Sequence, residues 1–184
     1  MADDNWVQDV LSFWFDELTS ADWYSGSAEI DDRIRTRFGA LHAQLNANPP
    51  AEARSDANAA LAAVIVLDQF SRNIYRKKPE AFASDALALD LARNAVEAGF
   101  DMEVAEDRRP FFYMPFMHSE VLSDQERCVD LFKQHGGENS LKYAIEHREI
   151  VARFGRFPHR NATLGRETTE EEVSFLQGHS GYGQ

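Results

Sequence analysis

Between Ile150 and Arg166 the chain holds four arginines, one histidine and no carboxylate. Elsewhere it is strongly acidic: 31 Asp and Glu against 19 Lys and Arg give a formal net charge of −12. A solvated loop of such a protein has no reason to exclude acids, so Arg153, Arg156, His159, Arg160, Asn161 and Arg166 look aimed at something. A guanidinium is a planar fork of donors that matches carboxylate or phosphate, so the chemistry is anion recognition. A second island, with Arg72, Asn73, Arg76, Lys77 and Lys78, fills the acid-free gap between Asp68 and Glu80. The two islands hold 8 of the 19 basic residues. The competing account is structural: these arginines neutralise buried carboxylates and cap helix ends.

His118 and Glu120 are the candidates for acid–base work, because histidine titrates near neutral pH. Their spacing of two splays them on a helix and converges them only on broken backbone. No His-x3-His or Glu-x2-His pair accompanies them, so no metal site is expected. Nucleophilic catalysis has little support: there is no Gly-x-Ser-x-Gly, and Cys128 sits among apolar helical neighbours. Neither a P-loop nor a dinucleotide fingerprint is present, and no cofactor is expected. Asp68 falls four residues after Val64 and seven after Leu61, on an apolar helix face. A charge there is costly unless paired. It is expected to be buried against Arg72, an arginine of the 153–166 stretch, or backbone amides.

Helices must position these groups. Apolar residues recur at three- and four-residue steps over 5–18, over Ile30 to Leu45, and from Leu61 to Phe70. Asn48-Pro49-Pro50 stops the second of these, and Ser55 reads as the cap of the third. Pro79 suits the start of a turn; Ser84 or Asp85 caps a helix that Gly99 ends. An aromatic helix is predicted over Asp107 to Glu120, kinked or broken at Pro115, then helices over Asp124 to His135 and from Asn139 or Ser140 to Phe154. Thr168 to Glu171 reads as a capping box for a last short helix. Nothing alternates with period two for long enough to make a strand. The expected fold is all-α: eight to ten helices in stacked antiparallel hairpins, one domain over 1–177, and a flexible Gly-rich tail over 178–184.

Composition narrows the partners. A sequence pI near 4.9 argues against nucleic acid, whose binding is dominated by basic surface. No apolar run reaches 18 residues and no signal peptide opens the chain, so a cytoplasmic protein without a membrane span is expected. The lone cysteine excludes an intramolecular disulfide.

Phe70-Ser-Arg72-Asn73, followed by Arg76, echoes Phe157-Pro-His-Arg160-Asn161, followed by Arg166. Both follow an apolar helix, and stacked hairpins would bring the two turns to one site beside His118 and Glu120. Five segments carry a wider resemblance: Val10-Leu-Ser-Phe-Trp-Phe15, Leu67-Asp-Gln-Phe-Ser-Arg-Asn-Ile-Tyr-Arg76, Ala81-Phe-Ala-Ser-Asp85, Tyr113-Met-Pro-Phe-Met-His-Ser-Glu120 and Arg153-Phe-Gly-Arg-Phe-Pro-His-Arg-Asn161. Together they resemble the bacterial family catalogued as domain of unknown function 924. The resemblance implies a compact all-α fold similar to tetratricopeptide-like repeats, and no established activity. Three readings of the residues stay open: a site for an anionic small molecule, a helical groove for an acidic peptide, or a salt-bridge lattice with no ligand.

Overall fold

The computed structural model of the chain describes residues 5–179. The tail expected over 178–184 lies outside the described residues from position 180 onward. Every regular element among the described residues is helical. In order they are α1 (Trp6–Ser12), α2 (Ser20–Trp23), α3 (Ala28–Ala47), α4 (Ala57–Val64), α5 (Ser71–Ile74), α6 (Asp85–Ala98), α7 (Pro110–Met117), α8 (Leu122–His135), α9 (Glu138–Phe154) and α10 (Glu170–Leu176). π-helical turns extend α1 over Phe13–Glu17 and join α4 to α5 over Ile65–Phe70. None of these helices is long and apolar enough to cross a membrane.

One rod organises the rest. Every residue of α4 from Ala59 and of the following π turn is buried, and α1, α6 and α7 pack against α4 while α3 packs against the π turn and α5. Such an all-round apolar helix has no solvent face, so it can only be the middle of a fold. After it, α7, α8 and α9 lie against one another as successive hairpins, with Gly136 and Gly137 making the tight link between α8 and α9. Aromatic rings fill the space around the rod: Phe70 meets Phe13 and Trp14 edge-on, and Trp14 stacks on Trp23. Offset and edge-on pairs of this kind add to the area that the rings remove from water. A small second core of Ile150, Val151 and Phe157, with Phe154 and Phe175 beside it, seats the C-terminal segment.

Some boundaries fall differently from the sequence expectation. Asp56, not Ser55, caps α4, accepting the Ala59 amide at 2.8 Å. The aromatic helix is shorter than predicted, running from Pro110 to Met117, with Pro115 inside it rather than breaking it. The proline removes one donor, but Pro115 is buried among the rings of α7 and the surrounding core holds the turn. The last capping box is Thr169 with Glu172, one residue later than expected. That register is set by tertiary contacts, since Arg156 and Asn161 also hold the Glu172 carboxylate.

Candidate functional site

Asp68 lies in the π turn over Ile65–Phe70, all six of whose residues are buried. Asp68 is 1% exposed. The side-chain amide of Gln69 donates to Oδ2, and Arg72 on the next turn lies 3.2 Å from Oδ1. His118 approaches the same Oδ1 with Nδ1 at 2.7 Å. Burial opposes the Asp68 charge, but His118, Arg72 and Gln69 outweigh it and hold the carboxyl below its usual range. For His118, burial and then Arg72 push the imidazole below its usual range, against the pull of Asp68. The pair is therefore carboxylate plus neutral imidazole. An ionised carboxylate only accepts, so Nδ1 carries the proton and Nε2 keeps a lone pair.

His118 is the residue that ends α7, and its position is fixed by Gln125 from α8. The Gln125 amide donates to the carbonyls of Phe116, Met117 and Ser119, satisfying the orphan acceptors of that helix end. This corrects the pairing expected from sequence. Glu120, two residues on, does not partner His118; its carboxylate takes a two-pronged bond from Arg166 at 2.8 and 3.0 Å and accepts the Phe157 amide at 2.7 Å. Arg166 also donates to the Phe157 carbonyl at 3.0 Å. The ion pair thus clamps the backbone of Phe157 from both sides. Gly155, at φ 68°, ends α9 and lets the chain double back into that clamp.

The clamp delivers Arg160. Its guanidinium is centred 4.6 Å from the Phe82 ring and 4.7 Å from Phe157. Arg72 approaches the same Phe82 ring at 5.6 Å. The nearest acid is Asp85, 3.6 Å away and beyond hydrogen-bond reach, because Asp85 is already held by both arms of Arg72 at 2.9 and 3.1 Å. Asp85 in turn is set by Ser84, whose hydroxyl donates to the Leu67 carbonyl at 2.6 Å and ties the start of α6 to the π turn. Among the described residues Arg160 donates no side-chain hydrogen bond, although it is only 5% exposed. Burial, then Arg72, bring its pKa down to about 10.

The two basic islands therefore meet, but through Arg72 and Arg160 alone. Asn73 and Arg76 turn to the other side of the rod, where both hold Asp31 of α3 at 2.6 to 2.8 Å. Arg156 makes a two-pronged bond to Glu172, which Asn161 also contacts at 3.2 Å. Asn161 receives Arg166 on its oxygen at 3.0 Å. Arg153 pairs with exposed Glu171. His159 faces the Phe157 ring at 5.4 Å and stacks with His179 at 6.3 Å. The residues that the motif reading did not single out are Asp85, Phe82 and Gln69. Asp85 and Phe82 stand inside the Ala81–Asp85 segment that carries the family resemblance, which was the available signal.

At the rim stands Tyr24, 68% exposed, yet its hydroxyl is pushed up first by burial and then by the charge of Asp68 and by Tyr143. The ring is open to solvent while its hydroxyl is crowded by protein. No group of three or more metal-binding side chains is found among the described residues. A cleft of about 550 Å³ between Asn5, Trp6, Glu52, Asp56 and Arg108 contains none of these groups. It opens at the start of α4, some 12 residues or roughly 18 Å along the rod from Asp68.

Burial also sets a pH dependence. His42, His118, His147 and His159 all lie below the usual imidazole range, each first because of burial, and the last two at about 3. The unfolded chain binds these protons more readily, so stability is complete above the ordinary value of 6.5 and falls as pH drops below it. Each such ring can cost up to about 1.4 kcal/mol per pH unit. Thermal unfolding at pH 5 is expected several degrees below that at pH 7.5; equal midpoints would show that the rings are solvated.

Fold and cluster together define an all-helical domain with a buried histidine–carboxylate–arginine network at its centre. The chain belongs to the bacterial proteins of unknown function DUF924, whose family model matches residues 10–180. It is similar to a solved structure, the protein of unknown function ATU0120 from Agrobacterium tumefaciens. The two are 39% identical, with 94% of this chain and 97% of that one covered and a TM-score of 0.89. Comparison with curated proteins finds no match.

Proposed function

We propose that the protein binds a small anionic molecule through Arg160, next to a His118–Asp68 pair that can take up or release a proton. The observation that carries this reading is the unmet donor set of Arg160. Arg72, Arg156 and Arg166 each make two-pronged bonds to a carboxylate, so a structural lattice accounts for them in full. Arg160 is the exception: its Nε is buried without an acceptor and its ion pair to Asp85, at 3.6 Å, is longer than a hydrogen bond, a cost that a structural role would not repay. Held between two aromatic rings, it is ready for an acceptor that this chain does not supply. The Asp68 carboxylate fixes the His118 tautomer and orients the ring, the arrangement by which a neutral imidazole serves as a general base.

A groove for an acidic peptide is the second reading, and Tyr24 and Tyr143, 68% and 45% exposed, are the features that suit it. Both readings share Arg160. The test is the melting temperature in acetate, phosphate or sulfate against chloride at equal ionic strength. At least one of the three is expected to raise it in a saturable way, by RT ln(1 + [L]/Kd) converted to temperature. Arg160→Met, which keeps the apolar stem, is expected to remove the gain. Equal behaviour of all four salts in both proteins would leave the lattice as the better account.

A further inference from the structure

We propose that the ligand of Arg160 is a carboxylate carrying a single charge, not a phosphate or sulfate dianion. This deepens the anion-site reading and rests on it. Three observations set the class. The first is the charge already present: Asp85 lies 3.6 Å from the guanidinium, and Asp68 and Glu120 act on it as well, with Arg72 the cation that acts on it most. With Arg166 paired to Glu120, three carboxylates meet three guanidiniums, so the cluster offers directional donors in a field that is nearly neutral. A second negative charge on the ligand would face Asp85, whose charge Arg72 and Arg160 already share, and charges repel more strongly in a largely buried cluster than in water.

The second observation is shape. Phe82 and Phe157 lie against the guanidinium at 4.6 and 4.7 Å, and Nε is sealed from solvent. What is left is the terminal edge, which a planar two-oxygen acceptor meets in its own plane. A tetrahedral phosphate or sulfate carries its remaining oxygens out of that plane and toward the rings. The third is what a phosphate site needs and this one lacks. The first turn of α6 carries Asp85, whose charge opposes a dianion there, and the lysines of the first island, Lys77 and Lys78, stand in the exposed turn before Pro79. Dianion sites draw on several cations or a helix N-terminus together. The exposed ring of Tyr24, whose hydroxyl feels the charge of Asp68, and that of Tyr143 near it give the rest of the molecule an apolar body to lie against, so an aryl or alkyl carboxylate fits better than formate.

The experiment is calorimetric titration at pH 8, where phosphate is a dianion, of the full chain with benzoate, acetate, phosphate and sulfate at constant ionic strength. Benzoate is expected to bind at least tenfold more tightly than phosphate or sulfate, with acetate between them. Arg160→Lys, which keeps the charge and loses the planar fork, is expected to reduce that preference to less than about threefold. Phosphate or sulfate binding as tightly as benzoate, and depending on Arg160, would overturn the carboxylate assignment while sustaining the anion site. Loss of none of these affinities in either Arg160→Lys or Arg160→Met would overturn the site itself. The two variants guard against a single one that fails to fold.

Discussion

Asp68→Ala is expected to be one of the costliest single changes in the chain, at about 3–5 kcal/mol, the range for removing one partner of a buried ion pair. The carboxylate is 1% exposed and meets His118, Arg72 and Gln69 at once, so truncation leaves three polar groups facing a void. Asp68→Asn keeps the volume and one acceptor oxygen, and Arg72 keeps Asp85. Its cost is therefore expected nearer 1–3 kcal/mol. Both are read from the denaturant midpoint at unchanged slope. A loss under about 1 kcal/mol for both would mean that the network is wet and contributes little.

The second large effect separates the two arginines that share Asp85. Arg72→Met strips Asp68 and Asp85 of their common cation and is expected to cost about 3 kcal/mol or more. Arg160→Met removes a buried charge that makes no side-chain hydrogen bond among the described residues, and keeps a stem to pack between Phe82 and Phe157. It is expected to be neutral or stabilising while ending anion binding, because Asp85 keeps both arms of Arg72 and replacing a buried ion with a packed apolar side chain is commonly so. A residue whose removal helps the fold and abolishes binding is the signature of a site retained for function. Equal destabilisation by both changes would place Arg160 in the lattice with Arg72.

The sequence disclosed the helices, and disclosed Asp68, for the same reason: position on an apolar face repeats with the helical period and can be counted along a single stretch. It also disclosed that arginines of two distant islands meet. It did not disclose partners. His118 lies 50 residues from Asp68, and nothing within either stretch ties one to the other. Glu120, the acid adjacent to His118 in sequence, was the natural guess; the end of α7 turns the two side chains to different partners. Asp31 and Glu172 give no signal of their own in a chain with 31 acids, because being buried depends on tertiary packing and not on neighbours in sequence. The echo between the two Phe-Arg-Asn turns held for the arginines and failed for the asparagines. Asn73 sits in a short α-helix and Asn161 follows a tighter 3-10 turn, so equal spacing sends the two side chains to different elements.

The direct test of the account is the side-chain amide spectrum of the arginines in 15N-labelled protein as benzoate is added at constant ionic strength. The Nε–H signal of Arg160, assigned by its loss in Arg160→Met, is expected to move along a saturating curve. The ring signals of His118 are expected to follow with the same midpoint, through Arg72 and Asp68. A stationary Arg160 signal, with only exposed arginines such as Arg35 and Arg54 drifting in proportion to added benzoate, would contradict the account.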